Sequence, residues 1–318
     1  MPAPMCAVQV LERWVTIKQF KVYAPASIAN LGPGFDVFGI ALDGLGDYIN
    51  VKRVSEPGVR VIVKGFEADH IPVKAQLNSA GAVMNAALDR IGESAGVELE
   101  IEKGIPPGKG MGSSGASAAA AAVAAQRLMG VELPQREFVK LAAQGEAAVA
   151  GSAHADNVSA SLFGGFILVG DGYDVVRMEA PDIGFVVVVP DVKYENKTKM
   201  ARDLLPKTVG LKDAVRNIGF ASRMAAAVAM KDPVLFGRSM CDSMVEPFRA
   251  GMIPSFHLVK LAALQSGAYG CSISGGGPSV FAVGENPAEI GKAMVEAFGD
   301  TKAEVYLTRP SNLGARVL

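Results

Sequence analysis

The segment PPGKGMGSSGASAAAA, at residues 106–121, carries the strongest structural signal in this sequence. Before it, residues 97–105 alternate, with Leu99 and Ile101 on one face and glutamates on the other, which predicts a half-buried strand. Behind the glycines, the alanine run has high intrinsic helix propensity. The segment is therefore a glycine-rich loop that connects a strand to the start of a helix.

Such a loop exposes backbone N–H groups, and a helix start adds roughly +0.5 elementary charge, so the two together favour a bound phosphate. The spacing differs from two nucleotide-binding motifs. The motif GxxxxGK[ST] needs a lysine directly before its serine or threonine, whereas Lys109 lies early in this loop and no lysine precedes Ser113. The dinucleotide-binding motif GxGxxG needs an acidic residue at the end of a following parallel strand, and this sequence has none in the expected place. From these residues alone, a phosphate loop and an ordinary helix-starting turn both remain open.

The remaining chain mixes strands and helices in an order typical of an α+β protein. Two strand-rich ends predict two lobes with a boundary near residues 170–195, which we divide into domains 15–180 and 181–318. A turn at residues 56–58 joins two consecutive strands. We expect strands over residues 15–24, 46–54, 59–65, 165–169, 184–190, 269–274, 279–283 and 303–308, and helices over residues 77–91, 133–150, 209–230, 254–266 and 287–298.

Composition excludes several classes of protein. Among 318 residues, 31 Lys and Arg balance 32 Asp and Glu, so there is no basic excess to bind nucleic acid. No segment has the ~20 mainly apolar residues of a membrane span, and the N-terminus lacks the pattern of a secretory signal. We therefore expect a cytoplasmic protein without membrane contact. Cys6, Cys241 and Cys271 are widely spaced, which argues against a disulfide framework and a thiolate zinc site.

Two further segments share the character of the central loop. Residues 25–36, PASIANLGPGFD, place an amide, a carboxylate and two glycines between strands, and residues 274–279, SGGGPS, form a second flexible loop. With residues 106–121, they resemble the three motifs of the GHMP kinase superfamily in order and separation.

Longer stretches narrow this resemblance to the homoserine kinase family, over a region from about residue 18 to the C-terminus. The stretches are PASIANLGPGFDVFGIAL (25–42), GSAHADN (151–157), TKMAR (198–202), EPFR (246–249) and GCSISGGGPSVFAV (270–283).

The resemblance implies a two-lobed GHMP kinase fold, with an N-terminal lobe like domain 2 of ribosomal protein S5, a ferredoxin-like C-terminal lobe and the site between them. It implies transfer of the γ-phosphoryl group of ATP, with Mg²⁺, to the side-chain hydroxyl of L-homoserine in threonine biosynthesis. The residues it assigns to the nucleotide are Asn78, Pro107, Gly108, Lys109, Gly110, Met111, Gly112, Ser113, Ser114 and Gly115. Asn78 would look the same as a plain helix cap, and Lys103 is a further candidate neighbour of the phosphates.

The same resemblance assigns Ser114 and Glu146 to Mg²⁺, which takes few protein oxygens beside phosphate and water. Alone, Glu146 would be an ordinary residue on a solvated helix face. The resemblance places the substrate ammonium against Asn30 and Asp36.

It places the substrate carboxylate against Arg202 and Arg249. Guanidinium forks match planar carboxylates, although a surface ion pair is the commoner fate of a single arginine.

His154, Asp156 and Asn157 are implied at the substrate hydroxyl. His154 is a candidate general base, but a single histidine near a helix start is more often structural. Because the family position that carries an aspartate base in some GHMP kinases is Asn157 here, we assign Asn157 to positioning the hydroxyl and leave the proton acceptor open. Phosphoryl transfer needs little covalent chemistry from the protein.

Two alternatives remain at this stage. The chain could be another GHMP kinase, such as a mevalonate or shikimate kinase, or a nucleotide-binding regulator without activity. The paired arginines with Asn30 and Asp36 favour a zwitterionic amino acid over mevalonate or shikimate, since neither carries an ammonium group. The sequence leaves the oligomeric state open, a homodimer included.

Overall fold

The structure is a computed structural model that describes residues 18–91, 96–150, 154–194 and 197–318. Cys6, the first three residues of the strand expected over 15–24, and residues 151–153 of the GSAHADN segment lie outside the described residues. The N-terminal elements are β1 (Gln19–Asn30), β2 (Gly34–Val54), β3 (Gly58–Gly65), α1 (Ser79–Ile91), β4 (Gly96–Lys103), α2 (Ser113–Met129), α3 (Gln135–Ala150), α4 (Asp156–Phe163), β5 (Phe166–Val169) and β6 (Val175–Met178).

The elements that follow form the second half of the chain. They are β7 (Gly184–Pro190), α5 (Lys197–Asp203), α6 (Leu211–Met230), α7 (Pro233–Arg238), α8 (Glu246–Arg249), α9 (Phe256–Gln265), β8 (Gly270–Ile273), β9 (Val280–Gly284), α10 (Pro287–Ala297), β10 (Ala303–Thr308) and β11 (Arg316–Val317). Every strand and helix expected from the sequence within the described residues is present. Most ends differ by a few residues, but β1 continues to Asn30 rather than ending at residue 24, and β2 begins at Gly34 rather than at residue 46.

The N-terminal sheet has the order β11-β1-β2-β4-β3. Near its start, at residues 38–40, β2 also pairs with β5, and β5 pairs with β6. The sequence pattern suggested that β2 and β3 form a consecutive pair. Instead, β4 lies between them and runs parallel to β3. A parallel pair needs a crossover, and α1 provides it, so the turn at residues 56–58 joins neighbours in sequence that are not neighbours in the sheet.

The first motif differs most from expectation. Residues 25–36 are not a loop but the end of β1, a tight turn and the start of β2, which pair as one antiparallel hairpin. Asn30, Leu31 and Asp36 have positive φ angles of 71°, 51° and 56°. Non-glycine residues rarely adopt this backbone conformation, and such residues cluster at functional sites.

The C-terminal sheet is antiparallel, with the order β10-β7-β9-β8. Helix α9 precedes β8 and α10 precedes β10, so the strands and these two helices follow the βαββαβ order of a ferredoxin-like unit. Apolar side chains of β7 and β9 pack against these helices.

Aromatic side chains connect the two sheets. Phe166 contacts Phe38 at 5.1 Å between ring centroids and Phe236 at 6.3 Å, and Phe185 continues the series to Phe236 and Phe281. All five rings are buried. Aromatic groups contribute the largest buried area per residue, so this row gives the two lobes a shared core. No helix in the described part of the chain is long and apolar enough to cross a membrane.

Candidate active site

A cavity of about 800 Å³ opens where the first hairpin, the central glycine loop and the third loop meet. An apolar group of its lining residues comes from β3, β4 and residues 70–77. A charged group comes from the hairpin turn and from α4, α5 and α8. The predicted site residues that line it are Asn30, Asp36, Asn78, Pro107, Gly108, Gly110, Gly112, Ser113, Ser114, Glu146, His154, Asp156, Asn157, Arg202 and Arg249.

The central glycine loop reaches the cavity because its glycines adopt positive φ angles that other residues rarely adopt. Gly110 and Gly112 have φ angles of 86° and 66°. A side chain on Gly112 would collide with the Ser27 hydroxyl, and one on Gly110 with the carbonyl oxygen of Ser274. The loop therefore packs directly against β1 and the third loop, and it leads into α2, whose first residues, Ser113 and Ser114, line the cavity.

Hydrogen bonds tie the third loop to the other two motifs. Ser274 Oγ donates to the carbonyl of Gly110 at 2.7 Å, and Ser279 Oγ donates to the carbonyl of Lys109. The Gly275 N–H donates to the carbonyl of Ala29 at 3.3 Å. Three segments that are far apart in sequence thus form one continuous wall.

A buried ion pair supports the base of the glycine loop. Lys103 Nζ contacts the Asp47 carboxylate and donates to the carbonyl of Ser113 and to Ser117 Oγ, both at 2.8 Å. Asp47 Oδ1 accepts the backbone N–H groups of Gly104 and Ile105. Lys103 lines the cavity, but its ammonium is engaged with Asp47, so it holds the loop against the start of α2 rather than extending freely toward a phosphate.

Glu146 lies in the cavity wall on α3. It is almost fully buried, and its Oε1 atom has no hydrogen-bond partner. Burial raises the pKa of the Glu146 carboxyl, and the Ser114 hydroxyl and the nearby charge of Lys103 oppose that rise. A buried carboxylate oxygen without a partner, beside a hydroxyl, is a donor set that suits a divalent cation.

Asn157 lies at the start of α4, facing the cavity. Its Oδ1 accepts a hydrogen bond from Ser27 Oγ at 2.9 Å, which leaves the Nδ2 hydrogens for a ligand oxygen. The neighbouring Asp156 is buried, and burial raises the pKa of its carboxyl to about 7 against the opposing hydrogen bond from the Asn157 N–H.

The charged part of the cavity contains an ion pair between two predicted substrate residues. Arg202 Nη2 donates to both carboxylate oxygens of Asp36, at 2.8 and 3.0 Å, and also contacts Nε2 of His154. Since a guanidinium only donates, the lone pair of that nitrogen accepts the bond. Burial and the Arg202 charge lower the pKa of His154, against the opposing charge of Asp36. Both features argue against His154 as a general base in this arrangement.

Arg249 is buried below this pair and holds several segments together. Its Nε donates to the carbonyl of Ala201 at 3.1 Å, and its Nη1 donates to the carbonyl of Gly275 at 3.4 Å. Asn30 Nδ2 donates to the same Gly275 carbonyl at 2.9 Å, while Asn30 Oδ1 accepts the N–H of Asp36 at 3.0 Å. Asn30 thus orients the Asp36 turn, in addition to lining the cavity.

Three residues predicted to contact the nucleotide do not line the cavity. Met111 is fully buried in the core, and Gly115 packs against Asn157. Lys109 Nζ donates to the carbonyl of Val192 at 3.4 Å. Asn78 does line it, but its Oδ1 accepts the N–H groups of Ala80 and Gly81. Its side chain is therefore a helix cap, which was the alternative interpretation.

Five residues of the site were not expected from the sequence. Phe35, Tyr194 and Lys199 line the cavity, and Ser27 and Asp47 contact the lining residues Asn157 and Lys103. Ser27 and Phe35 lie inside the first motif. The hydroxyl of Ser27 among small apolar residues is a signal that could have identified it. Nothing local marks Asp47, because its partners are distant in sequence.

Models of known families match both lobes. The GHMP kinases N terminal domain matches residues 78–165, and the GHMP kinases C terminal domain matches residues 224–300. The first range contains the central glycine loop, Glu146 and Asn157, and the second contains Arg249 and the third loop. The expected α+β GHMP kinase fold is confirmed.

Relatives are similar over nearly the whole chain. A homoserine kinase of Pyrococcus furiosus is 43% identical over 291 residues, or 91% of this chain and 97% of that protein. One from Methanocella arvoryzae is 41% identical over 90% of this chain and 93% of its own. The crystal structure of homoserine kinase from Cytophaga hutchinsonii superposes with a TM-score of 0.87 at 38% identity, covering 95% of this chain and 98% of that one. The chain belongs to the homoserine kinase family of GHMP kinases.

Proposed function

We propose that this enzyme transfers the γ-phosphoryl group of ATP to the side-chain hydroxyl of L-homoserine and forms O-phospho-L-homoserine. The observation that carries the proposal is the charged part of the cavity, where Asp36, Arg202 and Arg249 lie within one cluster. An amino acid presents an ammonium and a carboxylate, and this cluster offers a partner to each. Mevalonate and shikimate have no ammonium for Asp36.

The residues near the glycine loop support positioning as the main source of catalysis. Nδ2 of Asn157 is free of the Ser27 contact and can donate to the substrate hydroxyl or to a phosphoryl oxygen. The start of α2 directs backbone N–H groups and a partial positive charge toward the phosphates. In a loose phosphoryl-transfer transition state, the protein contributes alignment of the reacting groups and stabilisation of charge, and little covalent chemistry.

Ser114 and Glu146 would hold Mg²⁺, because the partnerless Oε1 atom of Glu146 and the adjacent hydroxyl fit a hard cation. When bound, the ion neutralises charge on the phosphate oxygens. The chain itself contributes the rest: the glycine loop excludes side chains from the phosphate path, and the Lys103–Asp47 pair keeps that loop in place.

The first prediction tests the reaction. With ATP, Mg²⁺ and L-homoserine, the purified protein should form ADP at about 1–100 turnovers per second, as small-molecule and protein kinases do. A coupled ADP assay measures the rate, and mass spectrometry identifies the phosphorylated product. Higher kcat/KM with mevalonate or shikimate contradicts the substrate assignment, and ATP binding without turnover of any of the three supports a regulator instead.

The second prediction tests the cation site. Glu146→Gln removes the charge but keeps the shape, and Ser114→Ala removes the neighbouring hydroxyl, so both should raise the Mg²⁺ concentration needed for half-maximal rate. Calorimetric titration should show weaker binding of MgATP, with binding of metal-free ATP little changed. Gln144→Ala, an exposed residue on the same helix, is the matched control. Wild-type Mg²⁺ dependence and MgATP affinity in both variants would remove Ser114 and Glu146 from the site.

A further inference from the structure

Phe35 lies at the start of β2, beside Asp36, and its half-buried ring lines the cavity. The central guanidinium carbons of Arg202 and Arg249 lie 5.5 and 5.1 Å from the centroid of this one ring. Both distances are within the range of cation–π attraction. The two arginines come from α5 and α8, so Phe35 is a contact shared by two separate elements.

The two guanidinium groups need such a contact because they repel each other. Burial lowers the pKa of Arg249, and the nearby charge of Arg202 lowers it further, while Asp36 opposes both effects. Asp36 supplies the compensating charge through its bonds with Arg202. That charge is also the one that the substrate ammonium would use.

Binding of a zwitterion would therefore exchange partners around Arg202. The ammonium would take up part of the hydrogen-bonding capacity of Asp36, and the carboxylate would replace Asp36 at Arg202 and add a partner to Arg249. The ring of Phe35 has no charge to exchange and can keep its contacts before and after binding. Its electron-rich face attracts both cations, so it limits their separation at each stage.

The position of the ring is set by the hairpin rather than by the arginines. The Asp36 N–H donates to Asn30 Oδ1, and Asp36 has the positive φ of the turn. Asn30 in turn donates to the Gly275 carbonyl, which also accepts from Arg249. The backbone on the C-terminal side of Phe35 is thus anchored to the same carbonyl as one of the arginines that the ring contacts.

We propose that Phe35 is a positioning residue that holds Arg202 and Arg249 together as one carboxylate-binding site and so contributes to selection of substrates with a carboxylate. This inference rests on the proposed function, because it assumes that the two arginines receive the substrate carboxylate.

The test compares Phe35→Leu, which keeps an apolar side chain without a ring face, with Phe35→Tyr, which keeps the face. Phe35→Leu should raise the KM for L-homoserine about tenfold, with kcat and the KM for ATP changed less than twofold. Phe35→Tyr should remain within about twofold of wild type. Phe248→Leu, an exposed phenylalanine next to Arg249, is the matched control and should change nothing.

A second substrate separates positioning from a general effect on folding. For 2-amino-1,4-butanediol, which lacks the carboxylate, Phe35→Leu should change KM little, so its preference for homoserine should fall about tenfold. Equal losses with both substrates, an unchanged homoserine KM, or failure of Phe35→Tyr to restore it would overturn the inference.

A readout without substrate keeps the inference testable if the wild-type protein does not phosphorylate homoserine, which would refute the proposed function alone. In ¹⁵N-labelled protein, the Nε–H groups of Arg202 and Arg249 should exchange with solvent faster in Phe35→Leu and near the wild-type rate in Phe35→Tyr; exchange is read rather than chemical shift, because loss of the ring current alone moves the shifts. Unchanged exchange rates in Phe35→Leu mean that the ring does not hold the arginines.

Discussion

Replacing Asp47 with asparagine should lower the free energy of unfolding by about 3–5 kcal/mol, because the Lys103 ammonium then stays buried without a counter-charge. The side chains of Lys103 and Asp47 are 4% and 0% exposed, so water cannot replace the lost partner. Asparagine has nearly the same shape, which limits the change to charge. Urea denaturation followed by circular dichroism measures the difference.

Two further variants separate the charge effect from other causes. The double variant Asp47→Asn/Lys103→Met removes both charges and should recover much of the lost stability, since a neutral pair leaves no buried ion. Lys64→Met breaks the exposed Lys64–Glu100 pair of the same sheet and should have a much smaller effect. A decrease below about 1 kcal/mol for Asp47→Asn would mean that the pair does not stabilise the loop.

Arg249→Ala should reduce kcat/KM for L-homoserine by at least a factor of about 30, because removing one partner of a buried, hydrogen-bonded charge pair typically costs about 2–5 kcal/mol. Arg249 is 5% exposed and borders the same cavity as Arg202 and Asp36. The KM for ATP should scarcely change. Steady-state kinetics with each substrate varied in turn gives both constants.

Arg249 also bonds to the carbonyl groups of Ala201 and Gly275, so the variant needs controls for folding. Its thermal midpoint and nucleotide affinity are measured beside the wild type. Arg249→Lys keeps the charge but not the planar fork, so its kcat/KM for L-homoserine should lie between those of the wild type and Arg249→Ala. Arg238→Ala, which removes an exposed arginine, is the matched control. A loss below threefold, or an equal loss with 2-amino-1,4-butanediol, would show that Arg249 does not contact the carboxylate.

Local patterns were sufficient where each residue's role depends on its neighbours in sequence. The alternation of residues 97–105 predicted β4, whose Val97, Leu99 and Ile101 are buried, because a strand alternates its faces regardless of what covers them. The alanine run predicted α2 for a similar reason, and the glycines predicted the loop before it, in which Gly110 and Gly112 have positive φ angles.

Pairings between distant segments could not be predicted in this way. The position of β4 between β2 and β3 depends on a crossover through α1, and the motif at residues 25–36 became a hairpin because β1 and β2 lie in the middle of a sheet. Neither choice is encoded by the polarity of the residues alone, since a loop and a strand of small residues share the same composition.

By itself, the sequence determined the fold class and, through its resemblance to a known family, the expected reaction and most of the polar and charged residues that line the cavity. Only the tertiary structure decided how those residues are engaged: Asp36 with Arg202, Lys103 with Asp47, and Asn157 with Ser27. The physical reason is that a side chain's charge partner and hydrogen-bond partner depend on its burial and on which distant segments lie within about 3 Å. Residue types along the chain do not specify those distances.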